Sequence, residues 1–143
     1  MKQSKMISLI CILILGLTFT SGVAGIKIAS ASDPETFACV ADDQLEKEIA
    51  PEAALAEFAC FFKKWDGSKT LHFTVTVKNV SDAPQRYRVN IFLDNGKGVG
   101  GLLPRKTKKG LVEPGQTSGF VYPVKGMAGK PQSVFLKIST MSQ

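Results

Sequence analysis

Four cationic side chains lie within five residues of one another, in the sequence "PRKTKK". They are Arg105, Lys106, Lys108 and Lys109. Guanidinium and ammonium groups at this density can bind phosphate or carboxylate groups, and they can equally keep a surface connection solvated. A third interpretation pairs them with an acidic part of the same chain. The sequence leaves all three interpretations open, and only an outward anionic contact would make these cations a binding site.

The charges are segregated along the chain. Residues 32–60 hold eight acids against Lys47, a net charge of −7, whereas residues 61–143 hold fourteen Lys and Arg against four acids, a net charge of +10. Such an asymmetry predicts either that the acidic segment packs on the basic part or that each contacts a different partner.

The N-terminal residues have the layout of a secretory signal peptide. Lys2 and Lys5 precede an apolar run of fourteen residues, and the small-residue triplet Ala29-Ser30-Ala31 follows it. A membrane-spanning helix needs about 20 residues. We therefore predict a signal peptide over residues 1–31 that is cleaved after Ala31, with cleavage after Ala24 as the alternative. The mature chain would be exported, periplasmic or extracellular, and without a transmembrane segment.

Two cysteines follow the predicted signal peptide, Cys39 and Cys60. In an oxidising compartment an even pair predicts a disulfide, which would stabilise the fold by about 3 kcal/mol. The alternative is a periplasmic metal-handling or thiol-redox accessory protein that uses both cysteines with His72 and Met127. Neither cysteine lies in a C-x-x-C motif or near the histidine, so we favour the structural pair.

Other motifs that could carry chemistry lack the context they need. His72 is the one histidine and is predicted on the polar face of a strand, without the partners of a catalytic triad or a blue-copper site. The segment "GKGVGG" has the spacing of a dinucleotide fingerprint at Gly96, Gly98 and Gly101, but Pro104 follows where a helix would have to begin. We therefore predict glycines of a turn and an edge strand, no cofactor, no metal and no enzymatic activity.

The acidic segment contains a helical pattern, "ADDQLEKEIAPEAALAEF". Asp43 can cap a helix, Leu45 and Ile49 lie on one face, and Pro51 ends or kinks it. Residues 52–64 fit either helix or strand. The Asp-Gly turn in "FFKKWDGSKTLHF" is a hairpin signal, so we predict a short N-terminal helix followed by a strand over residues 58–65.

From Thr70 onward, apolar and polar residues alternate with a period of two. The apolar positions Leu71, Phe73, Val75 and Val77 show this first, and "RYRVNIFLD" repeats it. Turns rich in Gly, Pro, Asn and Asp separate about six or seven such strands, which is typical of an antiparallel β-sandwich. We predict a mainly β protein with a signal peptide (1–31), an acidic and partly helical segment (32–57) and a β-sandwich domain (58–143).

Two stretches carry a resemblance to a known group of domains. "FTVTVKNVSDAPQRYRVNIFLDNGKGV" has a V-x-N-x-S turn, and "LVEPGQTSGFVYPV" has a Pro-Gly turn that leads into a strand. Over about residues 70–140 this resembles the bacterial immunoglobulin-like modules of exported proteins, of the FxLYD and CARDB type. The resemblance implies an immunoglobulin-like sandwich without catalytic residues and, by analogy, a role in adhesion, scaffolding or partner contact. The two cysteines and the four clustered cations are not part of that pattern.

Export restricts the partner of the four cations. Nucleic acid is an unsuitable partner for an exported chain, which leaves another envelope protein, an anionic envelope polymer or a lipid surface. We therefore predict an exported, non-catalytic binding or structural module that contacts such a partner through Arg105, Lys106, Lys108 and Lys109.

Overall fold

A computed structural model describes residues 33–105 and 110–141. Within those ranges the regular structure consists of one 3-10 turn, Asp42–Gln44, and seven β-strands. The strands are β1 (Leu45–Ile49), β2 (Ala53–Trp65), β3 (Ser68–Asn79), β4 (Tyr87–Leu93), β5 (Gly98–Leu103), β6 (Thr117–Pro123) and β7 (Val134–Thr140). The predicted signal peptide, residues 1–31, lies outside the described residues.

The strands form two sheets, in the orders β1-β7-β4-β5 and β2-β3-β6. The prediction of a mainly β protein is confirmed, and the two sheets are consistent with a sandwich. The pairs β2-β3, β3-β6, β4-β5 and β4-β7 are antiparallel, as predicted for all pairs, but β1 pairs with β7 in parallel. The exception is the strand nearest the N-terminus, which forms one edge of the four-stranded sheet.

The core lies between the sheets, and buried residues recur along the strands with the period of two that the sequence predicts. The alternate residues Leu71, Phe73, Val75 and Val77 of β3 are fully buried, and they join Leu136 and other residues of the four-stranded sheet in one hydrophobic cluster. Successive side chains of a strand point to opposite faces, so every second residue enters the core. Each fully buried aliphatic or aromatic side chain contributes about 1.5–3 kcal/mol.

The predicted N-terminal helix is not found in the described residues. Asp43 lies inside the 3-10 turn, whose cap position is Ala41 and has no side-chain hydrogen bond, and the following residues form β1. Leu45 and Ile49 are four residues apart, which places them on one face of a helix but also on one face of a strand. Backbone pairing with β7 favours the strand, and Glu48 there forms an ion pair with Lys137 at 2.6 Å.

The boundary predicted at residue 58 falls inside a continuous strand. The expected strand over residues 58–65 is confirmed, but β2 already begins at Ala53, so the acidic segment contributes to both sheets. The Asp-Gly hairpin is also confirmed. Asp66 and Gly67 both have positive φ, 50° and 81°, which is the backbone of a type I′ turn.

A buried amide organises the turn between β3 and β4. The side-chain nitrogen of Asn79 donates to the backbone oxygens of Ala83 and Val112, at 2.8 and 2.7 Å, and its oxygen accepts from the backbone N–H and hydroxyl of Ser81. An asparagine amide has two donor hydrogens and two acceptor lone pairs, and all four are used here. The residue is fully buried, so this turn depends on asparagine and not merely on a polar side chain.

Candidate functional site

The segment from Arg105 to Lys109, here called the basic loop, lies in the connection between the edge strands of the two sheets. It follows β5, which ends at Leu103, and precedes β6, which begins at Thr117. Arg105 is described and exposed, whereas Lys106, Lys108 and Lys109 lie outside the described residues. The fold therefore shows directly only how the first of the four cations is positioned.

Arg105 is positioned by an aromatic ring of the opposite sheet. Its guanidinium carbon lies 4.0 Å from the ring centroid of Phe120 in β6, and Nη1 is 3.8 Å from the point where a side chain on Gly101 would begin. A guanidinium that stacks through its face keeps its edge N–H groups free to bind carboxylate or phosphate oxygens. The contact thus fixes the start of the basic loop and leaves a donor array for an anion.

The segment that leads from the basic loop back to β6 is also attached to the sandwich by hydrogen bonds. Val112 exchanges two backbone hydrogen bonds with Gln85, at 3.0 and 2.7 Å, and its backbone oxygen also accepts from the Asn79 side chain. Both described ends of the connection are therefore attached to the sandwich.

Tyr122 lies next to the Arg105 contact. Its ring centroid is 5.0 Å from that of Phe120, and only 2% of its surface is exposed. The hydroxyl has no hydrogen-bond partner among the described residues. Burial raises the pKa of the Tyr122 phenol from 10.0 to about 12, and the Arg105 guanidinium acts in the opposite direction. This phenol is therefore neutral at physiological pH.

The described acids do not neutralise Arg105. The one ion pair within 4.0 Å among residues 33–105 and 110–141 joins Glu48 to Lys137. Strand β1, which carries Glu46 and Glu48, and strand β5, which precedes the basic loop, form opposite edges of the sheet, so three strand spacings of about 4.8 Å separate them. Of the other acids, Glu52 accepts from Thr140 and Glu57 from Thr76. The described part of the acidic segment thus gives no support to an internal pairing.

The predicted disulfide is present. Cys39 and Cys60 are bonded, with their Cα atoms 5.0 Å apart, and both are buried. Phe37 also forms two backbone hydrogen bonds with Cys60, at 2.7 and 2.9 Å. The disulfide and these hydrogen bonds together attach the segment before β1 to the middle of β2. Redox-active cysteines are partly exposed and lie in an electropositive setting. Burial in the core is the setting of a structural bond.

The residues named for metal handling do not converge. His72 lies on the face of β3 opposite the core, as predicted, but it is not solvated there. It has 5% of its surface exposed, because its ring stacks on Phe61 at 5.0 Å and Nδ1 lies 2.9 Å from the backbone oxygen of Thr70. Met127 belongs to the core cluster, on the other face of the sheet. No group of three or more His, Cys, Asp or Glu that could hold a metal ion occurs in the described part of the chain.

The glycines of "GKGVGG" are turn and edge-strand residues, as predicted. Gly96 has a φ of 76° in the turn after β4, and Gly98 and Gly101 lie in β5 at the sheet edge. The tightest position is Gly100, where a Cβ atom would collide with the backbone oxygen of Val89. Strand packing therefore requires a glycine at position 100, and no helix follows the segment within the described residues.

Comparison with protein-family models, curated proteins and solved structures gives no match. Among the residues that the structure describes, no helix is long and apolar enough to cross a membrane.

Proposed function

We propose that this chain is an exported, non-catalytic binding or structural module that contacts an acidic partner through the basic loop. The observation that carries the proposal is the state of Arg105. Its side chain is exposed and stacked on Phe120, without a carboxylate within 4.0 Å among the described residues. A positioned and uncompensated guanidinium is suited to a phosphate or carboxylate group. The partner would be another envelope protein, an anionic envelope polymer or a lipid surface.

We also infer an immunoglobulin-like topology. Immunoglobulin domains pair strands A, B and E in one sheet and C′, C, F and G in the other. The order β2-β3-β6 corresponds to A-B-E, and β5-β4-β7 corresponds to C′-C-F. On this correspondence β1 takes the place of strand G, but it precedes strand A in the chain and runs parallel to its neighbour. Domains of this kind use their sheet ends and edges for partner contact, in agreement with a binding role for the basic loop.

The disulfide and the predicted signal peptide support export. Disulfides persist in oxidising compartments, and Cys39 and Cys60 are bonded in the core. Cationic loops outside the cytoplasm meet anionic lipids and polymers rather than nucleic acid. We therefore place the module in the periplasm or outside the cell.

The test compares the protein with two variants that lose the same charge. The loop variant carries Arg105→Gln, Lys106→Gln, Lys108→Gln and Lys109→Gln, and the matched control carries Arg88→Gln, Lys47→Gln, Lys78→Gln and Lys125→Gln, whose side chains are exposed elsewhere. Binding is measured to phosphatidylglycerol vesicles, with phosphatidylcholine vesicles as the neutral reference, and to polyglutamate. The loop variant is expected to bind at least about tenfold more weakly, since each cation near an anionic surface contributes about 1 kcal/mol. Equal losses in both variants would show a dependence on net charge alone and would refute the role of the loop.

A further inference from the structure

A groove crosses the outer face of the three-stranded sheet, opposite the face that packs in the core. Phe61, His72 and Pro123 are paired in register across β2, β3 and β6 and form its floor. The groove has a volume of about 430 Å³, within the range of small-molecule sites. Its floor crosses the strands, about 10 Å over two strand spacings, so an occupant would lie across the sheet and not extend it.

The walls of the groove are apolar and accessible. Trp65 and Val121 line it with 40% and 37% of their surfaces exposed, although most large apolar side chains of the described chain are buried. In the strand register they lie on either side of the row Phe61, His72 and Pro123, and large apolar side chains exposed in one groove are typical of a binding surface. The walls are therefore suited to the hydrocarbon part of a ligand.

The groove also has a polar point in its floor. Nδ1 of His72 lies 2.9 Å from the backbone oxygen of Thr70, so Nδ1 carries the proton, and Nε2 has no partner among the described residues. An occupant made only of hydrocarbon would leave this nitrogen without a hydrogen bond, which is unfavourable in a buried position. A hydroxyl or water beside the polar end of an occupant would satisfy it.

The charged side chains that line the groove determine which charge the polar end of a ligand would carry. Lys63 and Lys64 line the groove and are exposed, and no acidic residue of the described chain lines it. We propose that this groove binds an anionic amphiphile, an aliphatic chain with a carboxylate head. The chain lies against Trp65 and Val121, and the carboxylate lies beside the ammonium group of Lys63, which points to the same face as Phe61. Phe120, on which Arg105 stacks, also lines the groove, so the groove adjoins the start of the basic loop, but the proposal does not depend on the function proposed for that loop.

Trp65 makes the proposal directly measurable, because it is the one tryptophan of the protein. Dodecanoate, added below the concentration at which it forms micelles, is expected to shift the Trp65 emission to shorter wavelength in a saturable way. Dodecyltrimethylammonium has a chain of the same length and the opposite charge, and it is expected to bind at least about tenfold more weakly. An unchanged emission with dodecanoate, or equal affinity for the two amphiphiles, would overturn the proposal.

Two sets of variants test the walls and the charge separately. Val121→Glu places a carboxylate in the groove and is expected to weaken dodecanoate binding about tenfold, whereas Phe92→Glu, at an exposed aromatic residue of the other sheet, leaves it unchanged. The double variant Lys63→Gln, Lys64→Gln is expected to weaken binding about fivefold, whereas the control Lys47→Gln, Lys78→Gln does not. Thermal unfolding verifies that each variant is folded.

A three-substitution loop variant, Lys106→Gln, Lys108→Gln and Lys109→Gln, separates this site from the basic loop, because it keeps Arg105 on Phe120 beside the groove. It is expected to bind dodecanoate as tightly as the parent protein does. Loss of dodecanoate binding in this three-substitution variant, with binding retained in the lysine-pair variant, would assign the ligand to the loop and exclude the groove.

Discussion

Arg105 at the end of the four-stranded sheet stacks on Phe120 of the three-stranded sheet, with 4.0 Å between the guanidinium carbon and the ring centroid. This contact joins the first cation of the basic loop to the strand that follows the loop. The loop therefore leaves the fold at a fixed point, and Arg105 contributes its charge without an ion pair to a described acid. A guanidinium held in this way costs less entropy to bind an anion than one on a free chain.

The disulfide is expected to stabilise the fold substantially. Its two cysteines are 21 residues apart, so replacing both by alanine should lower the free energy of unfolding by about 3 kcal/mol, mainly because the unfolded chain becomes less restricted. Urea denaturation of the parent protein and the double variant measures this difference. Reductant should destabilise the parent and leave the double variant unaffected. Equal stability of the two proteins would contradict a structural role for the bond.

Asn79 is expected to be the most sensitive polar residue of the described turns. Asn79→Ala leaves the backbone oxygens of Ala83 and Val112 without their side-chain donor, and it should cost about 2 kcal/mol or more. Asn90→Ala is the matched control, because no side-chain hydrogen bond of Asn90 to a described residue is found, and it should stay within about 0.5 kcal/mol. Similar losses for the two variants, measured by urea denaturation, would show that the buried amide network is not what holds the turn.

The two tyrosines are expected to respond in opposite ways to loss of the hydroxyl. Tyr87 donates to the backbone oxygen of Glu52 at 2.8 Å, so Tyr87→Phe should destabilise the protein by about 1 kcal/mol at pH 7. The Tyr122 hydroxyl has no described partner, so Tyr122→Phe should leave stability unchanged or raise it. Thermal unfolding of both variants checks the contrast. A loss in Tyr122→Phe as large as that in Tyr87→Phe would reveal a partner for the hydroxyl.

Tyr122 also predicts a dependence of stability on alkaline pH. The unfolded chain releases this proton near pH 10, whereas burial raises the pKa in the folded chain to about 12. The folded state then holds more protons between pH 10 and 12, so the free energy of unfolding falls as the pH rises, by about 1.4 kcal/mol per pH unit from this group. Tyr122→Phe should lose this part of the decline. Identical pH profiles for parent and variant would place the pKa of the folded phenol near its ordinary value.

Adjacent glycines of β5 provide a steric test of the fold at the sheet edge. A Cβ atom at Gly100 would collide with the backbone oxygen of Val89, so Gly100→Ala should cost about 1–3 kcal/mol. At Gly101 the nearest atoms, in Tyr122 and Arg105, are 3.6 and 3.8 Å away, which is ordinary contact, so Gly101→Ala should have a much smaller effect. Comparison of the two midpoints of thermal unfolding decides the point. Equal midpoints would contradict the close packing of Gly100 against the backbone of Val89.

The strands of the core were predictable because burial on one face imposes a period of two, as Leu71 to Val77 and Tyr87 to Leu93 show. Strand β1 was not predictable, because the spacing of Leu45 and Ile49 fits helix and strand equally. Its conformation depends on pairing with β7, about 90 residues later in the chain. The burial of His72 likewise depends on Phe61 and Pro123 from neighbouring strands. At the candidate site, the four cations could be found from their sequence clustering, but the ring under Arg105 comes from another strand.

The salt dependence of anion binding tests directly whether the basic loop is an anion-binding site. Binding of the parent protein to phosphatidylglycerol vesicles or to polyglutamate is measured from low to physiological salt, beside the loop variant and its charge-matched control. The parent affinity is expected to fall steeply as salt rises, because the screening length shortens to about 8 Å at 0.15 M. The loop variant is expected to bind weakly with a flattened slope, and the matched control is expected to follow the parent. Absence of parent binding to either anionic surface at low salt, or equal slopes for the parent and the loop variant, would contradict anion binding by the basic loop and leave it as a solvated connection.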